Sequence, residues 1–116
     1  MTTLEQDRGR QVVEIFADYL AEKKDIYVTV IEELGFVLLR DLRGDFFDGN
    51  VVCQKAERLF EELQELWEAD YLFHTGLLNG CEDFNSSEES LTSIQREERE
   101  QIRRERRQKL AAILNT

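Results

Sequence analysis

Residues 25–42 read DIYVTVIEELGFVLLRDL, two apolar runs joined by a short polar link that ends at Gly35. β-Branched and aromatic residues are frequent in both runs, and such residues favour extended strands. We therefore predict a β-hairpin, covered on at least one face by helices because its strands are apolar on both sides. Runs this short also fit two buried helices that meet at Gly35, which would make the chain all-α.

Amphipathic helices are predicted on both sides of the hairpin. The first extends from about Gln6 to Lys24, with Gly9 weakening its first turns. Its apolar residues recur every three or four positions and are Val12, Val13, Ile15, Phe16, Tyr19 and Leu20. The second extends from Val51 to about Asp70, and its apolar face consists of Ala56, Leu59, Phe60, Leu63, Leu66 and Trp67. Two helices packed on a small hairpin define an α+β fold, with Leu63 and Trp67 in its core.

Two segments rich in glycine and polar residues separate these elements. The first, residues 43–50, is predicted to be a loop that holds Phe46 and Phe47, and Asn50 is a candidate cap for the following helix. The second lies between Gly76 and Ser87 and contains a short helical turn at residues 76–79. We place the boundary of the folded body there.

The C-terminal segment is predicted to be one long, charged helix that projects from the body. Ser86 and Glu89 match a capping box, which indicates a helix from about Ser87 to Leu114. Between residues 95 and 109 its only apolar residue is Ile102, too few for a coiled-coil seam. The chain is thus divided into an acidic globular body, residues 1–87, and a charged, partly basic helix, residues 88–116.

Charge is distributed unevenly along the 116 residues, whose net charge is −10. Residues 1–89 hold 21 acidic and 8 basic side chains, or about −13, and residues 90–116 hold 4 and 7, or about +3. An acidic body opposes binding to nucleic acid or membranes and favours a basic partner, although it also serves solubility alone. No apolar stretch suits a signal peptide or a membrane span, so a cytoplasmic protein is expected.

Catalytic and metal-binding patterns are weak. His74, Cys81 and Asp83 are close in sequence and could supply a base, a nucleophile and an orienting group, but no known catalytic pattern surrounds them. Cys53, His74 and Cys81 lack the paired spacing and the fourth ligand of a structural zinc site. We expect a protein that is not an enzyme, that holds no metal or cofactor, and whose two cysteines are reduced.

Acidic stripes on the two predicted helices are the candidate partner-binding residues. They are Glu57, Glu61, Glu65 and Glu68 on the second helix, and Glu14, Asp18 and Glu22 on the first. Helical neighbours lie about 5–6 Å apart, so the carboxylates could stand in for nucleic-acid phosphates. The alternative is that glutamate, a good helix former, simply covers a solvated face.

The basic C-terminal helix supports a second hypothesis, a nucleic-acid-associated regulator whose body is an oligomerisation unit. Its candidate phosphate-binding residues are Arg99, Arg103, Arg106 and Arg107. However, acidic residues come early in this helix and arginines late, an order that also suits a solvated helix matched to its own dipole.

The leading hypothesis is a protein-binding module, most concretely an inhibitor of a nucleic-acid-processing enzyme. Acidic anti-restriction and anti-CRISPR proteins of phages and mobile elements are similar to this chain in size and charge, although not in any motif. That resemblance implies a basic protein partner.

Overall fold

The computed structural model describes residues 2–23, 25–40, 49–81 and 87–115. These residues form the predicted α+β fold, in which helices pack on an antiparallel sheet. In chain order the elements are α1 (Thr3–Ile15), α2 (Ala17–Glu22), β1 (Ile26–Ile31), β2 (Gly35–Arg40), β3 (Gly49–Cys53), α3 (Ala56–Leu78), α4 (Ser87–Ser90) and α5 (Ser93–Leu114). Asp83, Ser86 and most of the predicted loop, including Phe46 and Phe47, lie outside the described residues.

The predicted hairpin is confirmed, and a third strand extends it. β1 and β2 are antiparallel, with Ile26 opposite Arg40 and Ile31 opposite Gly35. Gly35 has a φ of +116°, and a Cβ there would lie 2.5 Å from the carbonyl oxygen of Cys53. Glycine is therefore required where the turn enters β2, because only glycine adopts this backbone conformation without strain.

The second predicted helix begins and ends later than expected. Residues 51–53 belong to β3, where Val51 and Cys53 turn toward the core and Val52 toward solvent. Asn50 is likewise part of β3, and Lys55 occupies the N-cap position of the helix. The backbone N–H of Ala56 donates to Oε1 of Glu5 at 2.6 Å, so a side chain from α1 caps α3. The helix then continues to Leu78, through the predicted turn at residues 76–79.

The first predicted helix is broken at Phe16 into α1 and α2. The N–H of Phe16 donates to the carbonyl oxygen of Val13 at 3.1 Å, which ends α1 with a tighter turn. Phe16 is fully buried, with its ring centre 5.4 Å from that of Phe60. Gly9 was expected to weaken the first turns, but it is buried and lies directly against the Phe36 ring.

The C-terminal helix does not project from the body as predicted; it packs against it. Leu110 and Ile113 belong to the same hydrophobic core as Leu63 and Trp67, whose predicted burial is confirmed. The single predicted helix is also interrupted, because α4 ends at Ser90 and α5 begins at Ser93. A capping box formed by Thr92 and Gln95 starts α5. The core comprises Val12, Phe16, Tyr19, Ile26, Phe36, Leu38, Cys53, Ala56, Leu59, Phe60, Leu63, Trp67, Leu110 and Ile113.

Candidate functional site

The acidic stripe of α3 is partly neutralised by α5. Arg107 forms a bidentate salt bridge with Glu61, in which Nη1 donates to Oε1 at 2.7 Å and Nη2 donates to Oε2 at 3.1 Å. Arg103 pairs with Glu68 through its Nε. Glu57 and Glu65 remain exposed. Two of the four carboxylates in the α3 stripe are therefore already bound to the chain's own arginines.

The four candidate arginines of α5 all face the body. Arg99 is buried and donates to both carboxylate oxygens of Glu88, with Nη2 2.6 Å from Oε1. The hydrogen bonds from Arg99 lower the pKa of Glu88 below its ordinary range. Arg106 lies between two aromatic rings, those of Phe16 and Trp67, and burial lowers its pKa. With Arg103 and Arg107 paired to α3, these side chains connect α5 to the rest of the fold.

The acidic residues of the first predicted helix are not brought onto one surface. Glu14, Asp18 and Glu22 are all exposed, but the break at Phe16 separates the first from the other two. Glu14 borders a groove between α1 and β1. Asp18 and Glu22 border a groove of about 300 Å³ between α2 and α5, together with Glu105.

A second cleft, between α2 and α3, combines aromatic walls with charged groups. Its volume is about 480 Å³. It is lined by Tyr19, Glu22, Lys23, Trp67, Asp70, Tyr71, His74 and Thr75. Tyr19, Glu22 and Trp67 also line the groove between α2 and α5, so the two depressions adjoin. We define the α2 surface as Asp18, Tyr19, Glu22, Trp67 and Asp70.

Asp70 is the polar centre of this cleft. It accepts a hydrogen bond from the Tyr19 hydroxyl and lies 3.7 Å from Nζ of Lys23 and 3.6 Å from Nη2 of Arg40. Burial, followed by the hydrogen bond to Asp70, raises the pKa of Tyr19 well above its usual range. Tyr19 therefore stays neutral and donates a hydrogen bond to Asp70, which fixes α2 against α3 and the sheet.

Sequence patterns missed this cluster for a simple reason. Tyr19 was assigned to an apolar stripe and Asp70 to a helix end, so neither residue suggested a site. Lys23 and Arg40 come from α2's C-terminal cap and from β2, far from Asp70 in the chain. Only the tertiary packing brings these charges together.

Of the candidate catalytic and metal-binding residues, the structure describes Cys53, His74 and Cys81, whereas Asp83 lies outside the described residues. His74 is exposed and next to Phe73, and Cys53 is buried, where desolvation raises its pKa. In the described ranges, no three His, Cys, Asp or Glu side chains are grouped as metal ligands would be. Neither Cys53 nor Cys81 forms a disulfide bond. No helix in the same ranges has the length and apolar character needed to cross a membrane.

Comparisons with known protein families, with characterised proteins and with solved structures found no match to this chain. The chemistry of the α2 surface must therefore be interpreted from its own residues.

Proposed function

We propose that this chain is a protein-binding module that engages a basic partner through the α2 surface. The proposal is supported by a contrast between two acidic regions of the protein, one on α3 and one on α2. Glu61 and Glu68 of α3 are held by arginines of α5, whereas Asp18 and Glu22 are exposed beside an aromatic cleft. Asp18 and Glu22 can therefore receive a cationic side chain at the rim, whereas Asp70 of the same surface is already paired with Lys23 and Arg40.

Electrostatics favours the same partner chemistry. A net charge of −10 on a 116-residue chain attracts basic surfaces over a distance of one Debye length, about 8 Å at physiological salt. Such attraction accelerates association and selects against acidic partners. The carboxylates at the rim would then contact the partner directly.

The aromatic side chains supply the second requirement of a binding surface. Trp67 and Tyr71 lie in the cleft with ring centres 5.4 Å apart, and Tyr19 lies on the opposite side on α2. Tyr19 and Trp67 are buried and Trp67 already contacts Arg106, so the half-buried Tyr71 is the ring that can attract an arginine or lysine side chain of a partner. Tyrosine, tryptophan and arginine are also the residues that contribute most to binding energy at interfaces.

Nucleic-acid-processing enzymes are the partner class that fits best. Their active grooves are lined with arginine and lysine that normally contact phosphates. Asp18 and Glu22 are one helical turn apart, close to the spacing of neighbouring phosphates. We therefore propose an inhibitory role in which the α2 surface occupies part of such a groove.

The alternative, nucleic-acid binding through α5, is less supported. Arg99, Arg103 and Arg107 already hold carboxylates, and Arg106 is stacked between two rings. A nucleic acid would have to displace these contacts before its phosphates were bound. Anisotropy of labelled duplex DNA and single-stranded RNA, at low and physiological salt, separates the hypotheses. The protein-binding proposal expects no binding at physiological salt, and the alternative expects binding that falls steeply with salt.

Affinity capture with a matched pair of variants tests the proposed surface. Asp18→Asn with Glu22→Gln neutralises the α2 surface, and Glu57→Gln with Glu65→Gln removes the same charge from exposed positions of α3. From nuclease-treated lysate of the source cell, we expect the wild type and the α3 variant to retain the same basic protein. The α2 variant should lose it. Equal retention by all three proteins would contradict the proposal, as would recovery of no nucleic-acid-processing enzyme.

A further inference from the structure

One outer edge of the sheet carries no charge. β1 is an outer strand, and its six residues, Ile26–Ile31, include no acidic or basic side chain. Within the described ranges, only β2 pairs with it. Val30 and Ile31 are 44% and 43% exposed. Long, apolar edge strands without charge or proline are templates for pairing with another strand, and natural proteins usually protect them.

A groove runs beside this edge on the core side of the sheet. It has a volume of about 580 Å³ and an apolar floor that includes Val28, Val30 and Phe36. Its rim on α1 carries charges of both signs: Glu14, and Arg10 paired with Asp7 at 3.2 Å. A strand added to β1 would place every second side chain over this floor.

The opposite side of the same strand is also apolar. By the register, Ile31 lies on the face of the sheet away from the groove, together with Val52 of β3 and with Val37 of β2, which is buried. Val52 is 49% exposed. A strand added to β1 would thus extend an uncharged surface on one side and fill the groove on the other.

We propose that the occupant of this edge is the β1 strand of a second copy, which joins two three-stranded sheets into one six-stranded sheet. Two chains of net charge −10 repel each other, so copies can associate closely only where carboxylates are sparse. The six residues of β1 carry no carboxylate, although Asp25 and Glu32 flank the strand and Glu14 lies on the groove rim. Antiparallel pairing about a two-fold axis is self-complementary, as a closed dimer requires. The mixed charges of the rim allow Arg10 of each copy to approach Glu14 of the other.

The mass of the intact chain in solution tests the proposal. Sedimentation equilibrium of the wild type should give twice the 13.7 kDa chain mass at high concentration. Val30→Lys puts a charge over the apolar floor of the groove and should weaken dimerisation by at least about tenfold, since removing a charge from water into apolar surroundings is costly. Leu78→Lys, at a position 85% exposed on α3, makes the same kind of change away from the edge and should leave the dimer unchanged.

Thr29→Lys provides a second edge variant if Val30→Lys fails to fold, because Thr29 is exposed and its side chain faces the other side of the sheet. Circular dichroism identifies which variants are folded. A wild type that is monomeric at every concentration would overturn the proposal, whether or not another protein's strand can bind the edge. Folded edge variants that dimerise as tightly as the wild type would overturn it too.

Salt dependence distinguishes this dimer from the proposed function. Added salt screens the repulsion between two acidic chains, so the dimer should become tighter, whereas binding of a basic partner should become weaker. A dimer that dissociates as salt rises would mean that opposite charges drive association elsewhere on the surface, and the β1 proposal would fail. A monomeric wild type leaves the α2 surface and its basic partner unaffected.

Discussion

The guanidinium carbon of Arg106 lies 4.4 Å from the centre of the Trp67 ring. The same carbon is 4.6 Å from the centre of the Phe16 ring, so one arginine of α5 is in contact with both α3 and the break between α1 and α2. Asp18 is close enough to favour its charged form, against the effect of burial. This arginine therefore acts as a packing residue as much as a charged one.

Replacing Arg106 with alanine should destabilise the fold by about 1–2 kcal/mol, the value of a partly desolvated cation–π contact. Arg104→Ala, on the exposed side of the same helix, is the matched control and should change the free energy of unfolding by about half a kcal/mol at most. Urea unfolding followed by Trp67 fluorescence measures both. Equal losses for the two variants would show that Arg106 contributes no packing.

Gly9→Ala should destabilise the protein even though alanine is the better helix former. A Cβ at this position would lie 2.0 Å from a Phe36 ring atom, so the ring or α1 must move. Overpacking of this kind costs about 1–3 kcal/mol, which exceeds the roughly 1 kcal/mol that alanine contributes in a helix. Gln11→Ala, at an exposed position of α1, should be neutral or stabilising. Combining Gly9→Ala with Phe36→Leu should cost less than the sum of the two single changes.

Removing α5 should abolish cooperative unfolding. The sequence suggested that the region after Ser87 is separable, but Leu110 and Ile113 lie in the core. Leu110→Ala should cost about 2–5 kcal/mol, as expected for a buried leucine. Leu78→Ala, where the side chain is 85% exposed, should stay within about half a kcal/mol. Thermal unfolding of a chain that ends at Ser90 gives the direct answer, and a sharp transition near the wild-type midpoint would refute this expectation.

The parts of the fold that the sequence predicts are those where local pattern and tertiary burial agree. The β1–β2 hairpin is dense in β-branched residues, and its burial requires the same residues that its strand propensity favours. The apolar face of α3 is similarly regular from Ala56 to Trp67. Periodicity identifies α3, whereas the hairpin is indicated by its residue types, because runs this short have no decisive periodicity.

The parts that the sequence did not predict depend on distant contacts. Val51 and Val52 match the helical pattern that follows them, and only pairing with β2 makes them a strand. The docking of α5 was missed because much of its contact comes from arginines, which count as polar in any hydropathy pattern. Arg106 packs on Trp67 through its guanidinium, and the buried Arg99 pairs with the partly exposed Glu88. The pairing of Glu61 and Glu68 with Arg107 and Arg103 was missed for the same reason.

Acid should remove the contribution of the Glu88–Arg99 pair. Hydrogen bonds from Arg99 lower the pKa of Glu88 in the folded state below the ordinary 4.5. Because the pKa of Glu88 is lower in the folded state than in the unfolded state, the ionised carboxylate contributes its full stability at pH values above the unfolded-state pKa. That contribution is lost as pH falls through the folded-state pKa. The wild type should therefore have a higher melting temperature than Glu88→Gln at neutral pH. The two melting temperatures should converge at pH values below the ordinary pKa. A constant difference between them across that range would show that the ionised form is not preferred in the fold.

The α2 surface should control how fast a basic partner associates. Long-range attraction acts mainly on the association rate, and rim charges are the groups that produce it. Neutralising Asp18 and Glu22 should slow association several-fold at low salt, with a smaller effect on dissociation. Neutralising Glu57 and Glu65 removes the same total charge but acts farther from the aromatic cleft.

Stopped-flow association with the captured partner compares these two double variants. The difference between each variant and the wild type should shrink as rising salt brings the Debye length below about 8 Å. Because both variants lose the same net charge, an equal slowing would mean that overall charge alone attracts the partner. A slowing confined to the Asp18 and Glu22 variant would locate the encounter at the α2 surface. Slowing confined to the Glu57 and Glu65 variant would move the contact to the exposed carboxylates of α3 and contradict the proposed site.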